Sequence, residues 1–412
     1  MAVKLEDILK ARDTLTGVIN DTPILPDRKL TKELGANIYL KAECLQRGGS
    51  FKIRGAYNKI VSLSDEEKER GVVTASAGNH AQGVALAASL HHIKSTIVLP
   101  EYAPLTKINA TKNFGGNVIL HGASFDEASA YARELRDEHG YTYVHAFDDE
   151  KIIAGQGTIG VEIAEGLPEV DVVVVPIGGG GVISGIAIAI KALRPDARVI
   201  GVEAANIAVI SKSLEAGEPI EVPFNSTIAD GIAIKKPGGI PLGMIRDTVD
   251  EIVEVTEEEI AEGIFHCVKD GHLVVEGAGA AGVAAILAGK AAVKEGESAC
   301  AVLCGGNIDA NLLARILEHV LVRQGRYMIL RVLIVDRPGY LAALLEKVAH
   351  KGGNVIEVFH RRSMWFAPLG MVGVELLLEV RDEDHGRELV GYLSDAGYKV
   401  ERETAGEWPT HG

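Results

Sequence analysis

Cysteine, positive charge and long apolar runs are all scarce in this chain of 412 residues. Four cysteines, Cys44, Cys267, Cys300 and Cys304, do not make a disulfide framework in so long a sequence. Only Cys300 and Cys304 are close together, and no His or Cys cluster around them has zinc spacing, so no metal site is expected. Lys and Arg number 42 against 57 Asp and Glu, a net charge of −15, which excludes the basic footprint of a nucleic-acid partner. One apolar stretch without charge, residues 172–190, holds Pro176 and four consecutive glycines, so it reads as strand, turn and buried helix rather than a membrane span. The first ten residues read as an amphipathic helix without the apolar stretch of a signal peptide. A soluble, cytoplasmic protein with no membrane partner is the expectation.

What is present points to a folded enzyme of several parts. Hydrophobic residues at 47% with 24% charge exclude disorder, and the length suits two to three domains. Glycine is abundant, at 47 residues, without a collagen period, which predicts its use in particular loops. From about residue 20 to 320, β-branched runs alternate with Ala-rich segments: 71–74, 95–99, 117–120, 172–175, 198–202 and 300–303. Several are apolar on both faces, as parallel strands covered by helices are, which predicts a doubly wound α/β fold. After Gln324-Gly325-Arg326 the texture changes to β-α-β-β-α-β within about 75 residues, the ferredoxin-like order. The expected boundary is near residue 325, with residues 405–412 as a tail.

Three glycine loops compete as ligand sites. Gly155-Gln156-Gly157-Thr158-Ile159-Gly160 has dinucleotide spacing but no preceding strand. Gly277-Ala278-Gly279-Ala280-Ala281-Gly282 has it too, yet its Gly-Ala steps suit close helix packing and no acidic strand end follows. The third loop, Gly178-Gly179-Gly180-Gly181, lies between the strand 172–177 and a helix opening at Val182. Consecutive unshielded amides at a helix N-terminus form an anion site. No Gly-Lys-Ser or Gly-Lys-Thr follows, so a single phosphate monoester is the expected ligand.

A phosphate pocket without a dinucleotide signature directs attention to a reactive lysine. Lys52 lies in Ser50-Phe51-Lys52-Ile53-Arg54-Gly55-Ala56, between an aromatic and a β-branched residue. Such surroundings lower an amine pKa by desolvation and favour Schiff-base chemistry. Taken alone, a lysine near Arg54 and Gly48-Gly49 is more often a solvated surface charge.

This segment resembles the cofactor-lysine motif of the pyridoxal-phosphate enzymes related to tryptophan synthase β, in their threonine/serine dehydratase branch. Three more segments agree in order: residues 74–83 with Ser76-Ala77-Gly78-Asn79-His80, the tetraglycine loop, and Cys304-Gly305-Gly306-Asn307-Ile308-Asp309. The resemblance covers residues 20–320 and implies fold type II, two α/β parts with open twisted sheets within residues 1–325, the smaller being about 54–150. It implies pyridoxal 5'-phosphate as cofactor, held by Lys52 with Phe51, Asn79, Gly178, Gly179, Gly180, Gly181, Val182 and Cys304. Lys52 would also remove the substrate Cα proton. Cys304 would face the pyridine nitrogen as a neutral partner, a weaker electron sink that favours β-elimination. Ser76, Ala77, Gly78, Asn79 and His80 would bind the substrate. Ser76 and Asn79 are also good helix N-caps, and both readings can hold.

The implied reaction converts L-threonine to 2-oxobutanoate and ammonia, with L-serine to pyruvate as a slower parallel. Serine racemases of the same branch carry a serine where Ala77 stands, and alanine cannot transfer a proton. They also bind a divalent cation one strand after the tetraglycine loop. Glu203 is present there, but Ile207 and Val209 offer no side-chain oxygen. Serine dehydratase or racemase activity, or a non-catalytic amino-acid sensor, are the alternatives. Residues 326–404 resemble an ACT domain, which implies an allosteric amino-acid effector such as Val, Ile or Leu near Arg337, Gly339 and Asn354, or else a dimerisation module. A homodimer or homotetramer is expected, and a role in isoleucine biosynthesis or in threonine breakdown stays open.

Overall fold

The computed structural model describes residues 2–361 and 367–403. Two compact units make up the chain, Met1–Asp309 and Ala310–Gly412. The expected tail, 405–412, lies outside the described residues. The helix Ala310–Arg323 groups with the second unit because it packs on the strand Tyr327–Val335, so that unit begins before the boundary expected near 325.

The first unit holds two sheets. The larger runs Ile24–Pro26, Asn37–Lys41, Ser298–Val302, Val172–Pro176, Arg198–Ala204 and Glu251–Val255, parallel except for the first pair. The smaller runs Asn117–Leu120, Ser95–Leu99, Val72–Ala75 and Thr142–Tyr143, all parallel. Every residue of Val72–Ala75, Ser95–Leu99 and Val172–Pro176 is buried, as the doubly apolar runs predict for strands covered on both faces. Among the described residues no helix is long and apolar enough to cross a membrane, and residues 172–190 form a strand followed by the helix Gly181–Leu193.

Both dinucleotide look-alikes lie inside helices. Gly155, Gly157 and Gly160 belong to Glu150–Gly166, where a Cβ at Gly155 would meet the Arg54 carbonyl at 2.6 Å and one at Gly160 the Ile186 carbonyl at 2.7 Å. Gly277 and Gly279 belong to Gly277–Leu287, where a Cβ would meet the carbonyls of Ile228 and Gly305, each at 2.3 Å. These glycines let backbones touch.

The second unit is a four-stranded antiparallel sheet in the order Asn354–Arg361, Met371–Glu379, Tyr327–Val335, Lys399–Glu403, with helices Tyr340–His350 and Glu383–Asp395 between strands. The chain order is the expected β-α-β-β-α-β. Its core is aliphatic, built on Leu330, Val332, Leu344, Val348, Leu376 and Leu389.

The helix Lys52–Val61 is anchored in the first unit by charge. Arg54, fully buried, donates Nε and Nη2 to Glu43 at 2.8 Å each, and Nη1 and Nη2 to Glu162 at 2.5 and 2.9 Å. Lys41 Nζ adds an ion pair to Glu162 at 2.6 Å and donates to the Thr22 carbonyl at 2.6 Å. Removing one partner of a buried pair strands the other charge at a cost of about 3–5 kcal/mol. Arg54→Met is therefore expected to lower the unfolding free energy by about that amount in urea denaturation; an unchanged midpoint would contradict the anchoring.

Candidate active site

Carboxyl ends of strands from both sheets of the first unit feed one cleft, as open α/β sheets do. Val72–Ala75 leads into Ser76–Asn79, Thr142–Tyr143 into His145–Asp148, Val172–Pro176 into the tetraglycine loop, and Ser298–Val302 into Cys304–Asn307. The segment before Lys52 is stitched to the last of these. Ser50 bridges Gly305, the Phe51 N–H donates to the Cys304 carbonyl at 3.2 Å, and the Gly306 N–H donates to the Gly49 carbonyl at 2.9 Å.

Lys52 opens its helix, and its Nζ donates to the Ala146 carbonyl at 3.3 Å. A helix turns 100° per residue, so Arg54, two positions on, points to the opposite side. One side chain anchors the helix while the other enters the cleft. Burial lowers the Lys52 pKa to about 8, against the pull of Cys304 and Glu276, which favour its charged form. Cys304 is buried and its thiol is pushed far up by desolvation, so it stays protonated. Burial likewise depresses His80 to about 3, leaving a neutral ring whose Nε2 lies 3.0 Å from the Val144 carbonyl. His145 accepts from the Phe147 and Asp148 amides through Nδ1, which puts its proton on Nε2.

The tetraglycine loop presents a row of amides. The first turn of Gly181–Leu193 has no intrahelical acceptor, the first such bond being Ser184 N–H to the Gly180 carbonyl. The N–H groups of Gly178, Gly179 and Gly180 donate to no acceptor among the described residues. Gly180 takes a left-handed φ of 93°, and a Cβ on Gly179 would lie 2.3 Å from the Phe147 ring. Phe147 thus covers the loop.

Ser76, Ala77, Gly78 and Asn79 are half-buried at the entrance of the helix Asn79–Leu90. The expectation that Ser76 or Asn79 caps this helix is corrected. Gly78 is the N-cap with no side-chain bond, Ser76 Oγ accepts from the Gly78 amide, and Asn79 already lies in the first turn. Asn79 instead donates Nδ2 to Glu276 Oε1 at 2.7 Å and accepts from Asn307 Nδ2 at 2.7 Å. Glu276 went unrecognised as a site residue. It lies beside a glycine look-alike in sequence, and only the fold brings it to Asn79, 197 positions away. Burial, then Asp230, raises its pKa to about 7.

This cleft belongs to a recognised family, since the chain matches the model "Pyridoxal-phosphate dependent enzyme" over residues 15–305. The chain belongs to that family. Among its relatives, it is 50% identical over 398 residues to the L-threonine ammonia-lyase of Thermotoga maritima, covering 97% of this chain and 99% of that protein. It is 44% identical over 394 residues to the enzyme of that name from Geobacter sulfurreducens, covering 96% and 98%. Two solved structures are similar. One is the processed form of threonine deaminase isoform 2 from Solanum lycopersicum, with a TM-score of 0.72 and 39% identity over 76% of this chain and 86% of that one. The other is maize serine racemase, with a TM-score of 0.73 and 34% identity over 78% and 99%. The fold is type II of the pyridoxal-phosphate enzymes, and the cofactor is pyridoxal 5'-phosphate.

The residues present fit that group. A desolvated amine, a protonated thiol and a row of amides without protein acceptors provide for an aldehyde, a ring nitrogen and a phosphate. Glu203 is committed elsewhere, accepting from the amides of Val209, Ile210 and Ser211 at 2.7–3.0 Å and from Ser211 Oγ at 2.6 Å. In the second unit Arg337 and Gly339 are exposed, with open space around Gly339, while Asn354 Nδ2 donates to Glu379 at 3.2 Å.

The neutral amine is the form that attacks an aldehyde. Burial brings its deprotonation down from 10.5 to about 8, so uptake of pyridoxal phosphate by the cofactor-stripped chain should accelerate as pH rises through about 8. Stopped-flow absorbance measures this. A rate that climbs only toward the ordinary lysine range would contradict the desolvated setting.

Proposed function

We propose that the chain is an L-threonine ammonia-lyase. It would remove the Cα proton and the Cβ hydroxyl of L-threonine, release ammonia on hydrolysis and leave 2-oxobutanoate, with L-serine giving pyruvate more slowly. The observation that carries the reading is the Lys52 amine, lowered to about 8 by burial, sharing a cleft with a Cys304 thiol that stays protonated. Two relatives that match nearly the whole chain bear the name L-threonine ammonia-lyase, which supports the same assignment.

When bound, pyridoxal phosphate supplies a conjugated ring that withdraws electrons from the substrate Cα. Lys52, neutral above about pH 8, holds the cofactor and then accepts the Cα proton. The amides of Gly178, Gly179, Gly180, Gly181 and Val182 would hold the phosphate at a helix N-terminus. The loop from Ser76 to His80 takes the substrate carboxylate, at the start of the helix Asn79–Leu90. Cys304 would stand at the ring nitrogen as a protonated thiol rather than a carboxylate, a weaker electron sink that would favour elimination. Phe51 packs beside Lys52, its ring centroid 5.0 Å from Nζ.

Serine racemase is the nearest second reading, because a plant enzyme of that name shares the fold at 34% identity. Ala77 argues against it, since its methyl group cannot return a proton to the opposite face of Cα. Purified enzyme is expected to form 2-oxobutanoate from L-threonine with a kcat/KM about tenfold or more above that for L-serine, the effect of one methyl group in an apolar pocket. Lys52→Ala should lose at least about a thousandfold in kcat. Interconversion of L- and D-serine at a rate comparable to elimination would contradict the assignment.

The reading extends to the rest of the chain. The catalytic part ends between Asp309 and residue 325, with about 54–150 as its smaller portion, and the remainder is an ACT domain that binds a branched-chain amino acid and regulates the enzyme. Exposed Arg337 suits an effector carboxylate, and the open space around Gly339 suits close approach of a ligand to the backbone. A homodimer or homotetramer in the cytoplasm completes the proposal, and four unpaired buried cysteines suit a reducing compartment. Isothermal calorimetry with isoleucine, valine and leucine is expected to show saturable binding of at least one, weakened about tenfold by Arg337→Ala. No heat with any of the three would overturn the effector reading, and feedback by isoleucine would favour a biosynthetic role.

A further inference from the structure

We infer that Asn307 and Glu276 together set the direction of the Asn79 carboxamide, so that its N–H end and not its oxygen is offered to the cofactor. The inference rests on the function proposed above and takes Asn79, a cofactor contact implied by the family resemblance, to face the cofactor's ring oxygen.

The direction follows from which groups can donate. The Gly48 carbonyl can only accept, and Asn307 Nδ2 donates to it at 2.8 Å. That contact fixes the orientation of the Asn307 amide and turns the same nitrogen toward Asn79, whose Oδ1 lies 2.7 Å away, with Gln82 Oε1 a longer third neighbour at 3.4 Å. Asn79 Oδ1 is thereby committed as an acceptor. Its Nδ2 must face the other way, where Glu276 Oε1 accepts at 2.7 Å. Reversing Asn79 would set two N–H groups against each other at Asn307 and, whenever Glu276 is ionised, two oxygens against each other at Glu276. A carbonyl at one end and a carboxyl at the other therefore fix the polarity of the whole chain.

Packing holds the ends in place. The Glu276 amide donates to the Gly305 carbonyl at 3.1 Å, and a Cβ on Gly305 would lie 2.3 Å from Glu276 Oε1 and 3.1 Å from Asn79 Nδ2. Glu276 is buried, and the charged or titratable groups that influence it are Asp230, Lys107, Lys52, Cys304 and Cys44. One hydrogen of the Asn79 Nδ2 group is used by Glu276, which leaves the second for an acceptor in the cleft. A donor aimed at the cofactor's ring oxygen stabilises its ionised form and lowers the pH at which the bound chromophore titrates. Asn307 and Glu276 act through Asn79 and are positioning residues.

The test is a spectroscopic pH titration of the visible absorption of the holoenzyme, in a double-mutant cycle. Asn307→Asp places an acceptor against Asn79 Oδ1 and draws the Asn79 amide round, so the chromophore midpoint should rise by about one pH unit, tenfold in proton affinity. The direct field of the new carboxylate persists when Asn79 is absent. In the Asn79→Ala background the same substitution should therefore give a clearly smaller rise. Glu276→Gln can still accept from Asn79 and should therefore show little of the shift seen with Glu276→Leu. Equal shifts from Asn307→Asp in both backgrounds, or Gln and Leu behaving alike at 276, would overturn the inference. If Asn307→Asp fails to take up cofactor, Asn307→Ala carries the same cycle with the same criterion. An unsubstituted protein that binds no pyridoxal phosphate would instead overturn the functional reading itself.

Discussion

Buried charge holds the site together. Arg54 is enclosed between Glu43, which is equally buried, and Glu162, with Lys41 on the outer carboxylate, and their partners come from a strand end, a catalytic helix and the long helix Glu150–Gly166. Ions cannot leave such a cluster singly without stranding the others, so it fixes geometry more firmly than apolar contacts of the same area. The glycines reinforce it. A Cβ on Gly55 would lie 2.8 Å from the Ile152 carbonyl, and one on Gly83 would lie 3.0 Å from Lys52 Cβ, so the lysine helix is held between two others at backbone distance. This clamp places the helix, and the Ala146 carbonyl then accepts from the Lys52 amine at its end.

The cleft is chemically quiet apart from that lysine. His80 and Cys304 are held neutral by burial, and Glu276 is brought to about 7. An excess of acidic residues over the chain as a whole does not oppose an anionic cofactor, because backbone dipoles at a helix N-terminus such as Gly181–Leu193 can hold an anion locally. Ammonium, thiol and carboxyl groups all sit in one desolvated space, which is where perturbed ionisation accompanies catalysis.

Much of this was legible in the sequence because it is local. The runs 95–99 and 117–120 became strands with those bounds, and the second unit followed the β-α-β-β-α-β order. Residues 172–190 read as strand, turn and helix from composition, and they form the strand Val172–Pro176 and most of the helix Gly181–Leu193. Other features depend on distant partners and left no local trace. Glu43 and Glu162 lie 11 and 108 positions from Arg54, and nothing near any of the three marks the ion cluster. Glu276 appeared only as the residue before a misleading glycine pattern. Ser76 has the chemistry of a helix cap, yet the loop closes on the Gly78 amide instead, since the cap position falls to a glycine with no side chain. That the helix Ala310–Arg323 joins the second unit was also hidden, because a helix does not reveal from its own sequence which sheet it packs on.

The central claim is that Lys52 is the residue that binds the cofactor. Reduction of the purified holoenzyme with borohydride, followed by proteolysis and mass spectrometry, tests it directly. The account predicts a phosphopyridoxyl label on the peptide containing Lys52 and on no other lysine. A label carried by a different lysine, or a chain that acquires none, would contradict it.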